Sequence, residues 1–314
     1  MRTPVKLTAY ALGLVLVFGA AAGAGRVLGP DNEPAPPPAH TDAHSDAQSD
    51  GHTDGHAGET APAAGHLPGG LQVTQDGYRL TPVTTRLSTG AAQPFQFRVI
   101  GPDGKPVIAY TPNHEKDLHL IVVRRDLSGF QHVHPTLGAD GTWSIPLAVD
   151  DPGQYRVFAD FQPTGHDPLT LGVDVPAAGD YQPLPLPAPA IVAEAGDYLV
   201  TIGGDLAAGT SSQLTFTVAK DGQTVTDLEP YLGAFGHLVA LRDGDLAYLH
   251  VHPIDAKSLA FAAEVPSSGV YRLYLDFKHD GKVHTAEFTV ATLGVEAPKP
   301  TEQPGHDADG HTHN

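Results

Sequence analysis

The sequence has no cysteine, and its one methionine is Met1. Without a thiolate there can be no disulfide, zinc finger, iron–sulfur cluster or blue-copper centre. Without an internal thioether, a methionine-lined copper(I) site is excluded too. Any metal this chain holds must therefore sit on nitrogen and oxygen ligands. Basic residues are also scarce: 18 Lys and Arg stand against 36 Asp and Glu, for a formal net charge of −18. That balance argues against nucleic acid as a partner and suits cations. No stretch of residues 71–176 carries a sustained helical period, and no nucleophile elbow, P-loop or dinucleotide fingerprint is present in the chain. The expectation is a non-enzyme.

What is abundant is histidine, 18 residues in all, and two stretches use it in the same frame. His119 to Pro135 reads HLIVVRRDLSGFQHVHP, and His237 to Pro253 reads HLVALRDGDLAYLHVHP. The intervening residues differ, yet the frame His-x12-His-x-His-Pro returns intact. Each opening run is short and β-branched, as in a buried strand. Each HVHP segment is extended, because the residue before proline is driven to the β region. Alternation along a strand puts His132 and His134 on one side, and likewise His250 and His252. The turns at Asp126 to Gly129 and at Asp243-Gly244-Asp245 are short enough to fold each pair of strands into a hairpin. His119 and His237 then land near their pairs. Three imidazoles from two adjacent strands suit zinc or copper(II), with one position open. The candidate ligands are His119, His132 and His134, and His237, His250 and His252. The competing reading makes these residues solvated or hydrogen-bonded histidines retained by duplication.

Residues 1–30 begin with Arg2 and Lys6 and, Arg26 apart, run apolar from Leu7 to Leu28. They read as an uncleaved single-span anchor with the bulk of the chain extracytoplasmic; the alternative is a signal peptide cut near Ala22-Gly23-Ala24. Residues 31–70 are Pro, Ala, Gly, Ser, Asp and His, too polar to order themselves, and read as a disordered metal-collecting tract. Residues 71–176 and 192–293 each show about seven short strands separated by turn signals, the pattern of an antiparallel β-sandwich. Asp151-Pro-Gly-Gln-Tyr155 and Ser267-Ser-Gly-Val-Tyr271 match an immunoglobulin-type tyrosine corner. Between them, residues 177–191 form a proline-rich linker expected to hold the two units apart. Residues 294–314 form a second flexible tail ending in His306, His311 and His313.

Asp160 and Asp276 occupy equivalent places in YRVFADF and YRLYLDF. A carboxylate there can serve as a fourth ligand or can orient a ligand imidazole; the simpler reading is an Arg–Asp pair, with Arg156 or Arg272, on an exposed sheet face. His114 and Glu115 precede the first frame only. His166, His279 and His284 do not align between copies and are taken as surface residues or optional ligands.

The segments HEKDLHLIVVRRDLSGFQHVHP, DGTWSIPL and PGQYRVFADF resemble a domain of uncharacterised bacterial envelope proteins, and EPYLGAFGHLVALRDGDLAYLHVHP resembles its companion domain. The resemblance spans most of residues 78–291. It implies an exported, membrane-anchored tandem sandwich and an association with copper or other heavy-metal handling.

The sequence thus predicts an all-β protein of two tandem immunoglobulin-like sandwiches, placed after an N-terminal membrane helix and a disordered His-rich linker. The expected function is extracytoplasmic binding of copper(II) or zinc, with an envelope metal-handling protein as a possible partner. Two other readings stand beside it: a non-catalytic structural or interaction module without a folded metal site, and a zinc hydrolase, for which Glu115 is the one visible general base.

Overall fold

The computed structural model describes residues 67–294, the side chains of His250 and His252 excepted. The expected N-terminal anchor, most of the first His/Asp tract and the His-rich C-terminal tail lie outside the described residues. Among those described, every regular element is a strand, all named pairings are antiparallel, and no helix is long and apolar enough to cross a membrane.

The first half contributes β1 (Thr74–Gln75), β2 (Tyr78–Pro82), β3 (Gln93–Ile100), β4 (Leu118–Arg124), β5 (Gln131–Val133), β6 (Thr136–Leu137), β7 (Thr142–Leu147), β8 (Gly153–Phe161) and β9 (Leu169–Ala177). They form a five-stranded sheet, β1-β2-β3-β7-β6, and a four-stranded sheet, β5-β4-β8-β9. Phe95, Phe97, Trp143 and Leu147 from the first sheet pack on Leu118, Leu120, Val122, Tyr155 and Val157 from the second. The apolar run 107–110, which the turn signals bound as a strand, makes only an isolated bridge at Tyr110; Pro106 and Pro112 flank it, and proline has no N–H to give a ladder.

The second half repeats the plan with β10 (Val192–Ala195), β11 (Tyr198–Gly203), β12 (Ser211–Lys220), β13 (Gln223–Thr224), β14 (Gly236–Arg242), β15 (Tyr248–Pro253), β16 (Ala260–Glu264), β17 (Val270–His279) and β18 (Lys282–Ala291). Here β15 pairs with β14 through Tyr248 to Val251 and with β16 through His252 and Pro253, so the sheets run together. In the first half the matching stretch is broken: β5 pairs with β4, β6 pairs with β7, and His134-Pro135 lies between. Both HVHP segments therefore sit where the chain crosses from one sheet to the other. Tyr155 donates its O–H to the Asp151 carbonyl and Tyr271 to that of Ser267, each at 2.8 Å, as the tyrosine-corner pattern requires.

Strand β4 is buried along its whole length. Leu118, Leu120 and Val122 face the sandwich core, whereas Ile121 and Val123 point out of it. They meet Val239 and Leu241, the outward residues of β14, in a shared cluster with Leu127, Phe158, Leu246, Tyr248 and Tyr274. The two sandwiches are thus docked face to face, and the proline-rich segment is not a spacer. It folds back on the seam: Leu186 packs against the shared cluster, and Leu184 N–H donates to Asp126 Oδ2 at 2.7 Å.

The end of the first His/Asp tract is fixed at the same seam, where free chain was expected to residue 70. Tyr248 N–H donates to Gly69 O at 2.9 Å and Gly70 N–H to Thr170 O at 2.8 Å. A Cβ on Gly172 would lie 2.1 Å from the carbonyl oxygen of Gly70. Replacing Gly172 by Ala is expected to displace residues 69–72 and destabilise the chain by about 1–3 kcal/mol. Urea unfolding checks this, and an unchanged midpoint contradicts it.

Candidate metal centre

The first frame folds as its spacing predicts. Antiparallel pairing sets Leu120 opposite Val133 and Ile121 opposite His132, which brings His119 level with His134 at the strand ends. His119 Nδ1 lies 3.0 Å from His132 Nε2 and 3.2 Å from His134 Nε2. All three ligand atoms fall within 4.8 Å of one another. Two nitrogens sharing a tetrahedral zinc at ordinary bond lengths stand about 3.3 Å apart, and a square-planar cis pair about 2.9 Å. The observed separations lie between these values and do not choose between the metals.

The remaining ring nitrogens fix the tautomers. His119 Nε2 is 2.9 Å from the carbonyl oxygen of Asn113. A carbonyl only accepts, so Nε2 carries the proton and Nδ1 keeps its lone pair. His132 Nδ1 is 2.8 Å from Asp276 Oδ2, which likewise leaves the lone pair on Nε2. Two lone pairs then face each other across 3.0 Å, and a shared proton or a cation relieves that repulsion. Asp276 is held in turn by Thr285, whose hydroxyl donates to Oδ1 at 2.6 Å.

The enclosure is tight. His119 is 4 % exposed and Asp276 4 %. Burial, then the neighbouring His132 and His119, push His134 down to about 3. Near neutral pH that ring is uncharged.

The second frame repeats part of this. His237 pairs with Asp276 across the ladder as His119 pairs with Asp160. His237 Nε2 lies 2.7 Å from the carbonyl of Tyr231, six residues upstream, as Asn113 is for His119. Its Nδ1 therefore keeps the lone pair, and burial takes the group down to about 4, partly offset by the Tyr231 bond. The backbones of His250 and His252 lie on β15, paired with Val239 and Ala262. Their side chains are outside the described atoms, so the grouping of ligand atoms is seen for the first frame alone. The rings of His132 and His237 are 6.3 Å apart, and His114 stands 6.2 Å from His119 and 5.1 Å from His237. His114 and Glu115 both have positive φ, 46° and 63°, in the turn that presents the Asn113 carbonyl. Two successive positive φ values mark a type I′ turn, which strains non-glycine residues.

Two expectations need correction. Asp160 and Asp276 do not pair with arginines on an open face. Arg156 bonds Asp174, Arg272 bonds Glu287, and both aspartates are buried in the seam. His279 is buried, with Tyr198 O–H 2.8 Å from its Nδ1, and has a structural role rather than a surface one. His284 stacks on Phe277 at 5.4 Å. Sequence reasoning missed the Asn113 and Tyr231 carbonyls, for which the only signal was the shared six-residue offset. It also missed that Asp276 serves the opposite sandwich.

Compared with known proteins, residues 72–181 and 193–294 each match the domain of unknown function DUF8832, together about two thirds of the chain. The chain belongs to this family. DUF8832 carries no assigned activity, so the implied association with metal handling gains no support from it. No curated protein matches the chain. Among solved structures, the chain is similar to FdeC, an Escherichia coli adhesin (13 % identity, TM-score 0.23), matching over 69 % of this chain and 65 % of the adhesin. It is also similar to the N-terminal Ig1-2 module of the Drosophila receptor tyrosine phosphatase DLAR (10 %, 0.20; 68 % and 98 %). A two-domain fibronectin type-III segment of chicken tenascin gives 9 % and 0.21, over 67 % and 99 %. At these scores the likenesses carry no argument about what a DUF8832 protein does.

Proposed function

We propose that this protein, a tandem immunoglobulin-like chain, binds a divalent transition metal, copper(II) or zinc, outside the membrane, for storage, buffering or hand-over. His119, His132 and His134 are the ligands, and one observation carries the reading. Three imidazole nitrogens converge within a single ion's reach, while the far nitrogens of His119 and His132 are tied to a carbonyl and a carboxylate, the arrangement that orients metal-binding histidines. His237, with the Nε2 bond that His119 also makes, anchors a second site with His250 and His252. The His/Asp tracts at both ends raise the local metal concentration. A membrane anchor at residues 1–30 and an envelope metal-handling partner complete the proposal. The enclosed rings of His119 and His132 fit holding an ion better than presenting it to a substrate, so catalysis is left out.

The test is thermal unfolding of the full chain with and without zinc or copper(II), beside His132→Ala/His134→Ala. The terminal tracts bind metal in folded and unfolded chains alike, so they contribute little to the shift. At metal concentrations a hundredfold above Kd the folded site adds about 2.7 kcal/mol. The double variant is expected to lose most of that gain. An equal shift in both proteins rejects the folded site and leaves a non-catalytic interaction module.

A further inference from the structure

His132 belongs to the first sandwich and Asp276 to the second, yet they share the bond that turns His132 Nε2 toward His119. We infer that the first metal site is divided between the two sandwiches, with Asp276 a positioning residue, so that metal occupancy and sandwich docking form one equilibrium. This rests on the metal reading above and adds how that site is regulated.

The geometry makes the dependence specific. The Asp276 carboxylate is fixed on one oxygen by the Thr285 hydroxyl, 2.6 Å away on the same sandwich, and holds His132 Nδ1 with the other at 2.8 Å. If the sandwiches separate, His132 loses that acceptor and its ring is free to turn. His119 keeps its orientation, because the Asn113 carbonyl lies on its own sandwich. Undocking therefore degrades a three-nitrogen site to a weaker one without removing a ligand. Much of the rest of the seam consists of contacts away from the ligand nitrogens, among them Phe130 stacked on Tyr274, Tyr248 beside Phe158 and the Tyr274 hydroxyl on the Leu127 carbonyl. Loss of such a supporting carboxylate typically lowers metal affinity about 10–100-fold. By reciprocity, metal favours the docked arrangement by the same factor.

The experiment uses the full chain and Asp276→Asn, with zinc as probe. Zinc affinity is read from the metal-dependent unfolding shift, and docking from protease cleavage within residues 177–191, whose Leu184 and Leu186 are held at the seam. The expected result has two parts. Zinc protects the linker in the native protein, and Asp276→Asn binds zinc about 10–100-fold more weakly and loses the protection while its metal-free unfolding midpoint stays near the native one. Thr285→Val keeps the carboxylate but frees one oxygen, and gives a smaller loss of the same kind; it serves if Asp276→Asn does not fold. Native-like zinc affinity in the variants, with the native protein still stabilised, overturns the shared site and leaves the metal reading standing. No zinc-dependent shift in the native protein overturns both.

Discussion

Replacing Tyr274 by Ala is expected to destabilise the protein by about 3–5 kcal/mol and to separate the unfolding of the two sandwiches. Tyr274 is 1 % exposed, at the centre of the shared seam. Its ring stacks on Phe130 of the other sandwich at 3.9 Å and 7°, and its hydroxyl donates to the Leu127 carbonyl at 2.6 Å. Truncation removes the stack, opens a cavity in packed surroundings and leaves that carbonyl without its donor. Tyr274→Phe keeps the stack and loses the hydrogen bond alone, for a cost of about 1–2 kcal/mol. The chain offers a direct readout. Trp143, its one tryptophan, is buried in the first sandwich between Phe97 and Tyr110. Fluorescence therefore follows the first sandwich, while far-ultraviolet circular dichroism follows both. The native protein should give coincident urea transitions by the two probes, and Tyr274→Ala should not. Coincident transitions with an unchanged midpoint in the variant would show that the seam carries little of the stability.

The docking that Tyr274 anchors had a trace in the sequence. HLIVV and HLVAL are apolar at successive positions, not at alternate ones. A strand with one solvated face alternates; a run without alternation needs a cover on both faces. The sandwich core covers one face of β4 and the other sandwich covers the second. Reading the runs as buried was right, and treating the proline-rich segment as a spacer set their outer faces aside. The repeated histidine frame carried more, because strand alternation and a short hairpin bring His119, His132 and His134 together by local geometry alone. No local rule reaches from His132 to Asp276, 144 residues on. The aspartate was visible as a repeated feature of YRVFADF and YRLYLDF, but the sandwich it serves depends on how the two halves dock. Strand limits followed the turn signals closely in the second half. The HVHP segment of the first copy pairs as β5 in the expected hairpin, whereas the short β6 was not foreseen, since Pro135 breaks in the first copy a strand that Pro253 leaves whole in the second.

Acid should weaken the metal-free protein well above the pH at which carboxylates protonate. An unfolded histidine titrates near 6.5, whereas His134 is pushed down to about 3 and His237 to about 4 in the fold. Between pH 6.5 and about 4 the unfolded chain binds protons at both positions and the folded one does not, so stability falls as pH falls. For a fully buried ring the loss at pH 5 is about 2 kcal/mol, set by the distance below 6.5 and not by how low the folded value lies. His134 stays partly open to solvent, and screening reduces its share to about 1 kcal/mol. Burial is the largest effect at both rings, and the neighbouring His132 opposes further charge on each; at His237 the Tyr231 carbonyl and Asp276 offset this only in part. Urea midpoints in chelator should therefore drop by the equivalent of about 3 kcal/mol between pH 7.5 and 5. His134→Asn/His237→Asn, which cannot titrate, should flatten that slope. A flat native profile would mean that the rings take up protons in the folded state without cost. The expected slope means the reverse: the fold keeps the His134 ring neutral into the acid range, so that an incoming ion there need not compete with a proton on it.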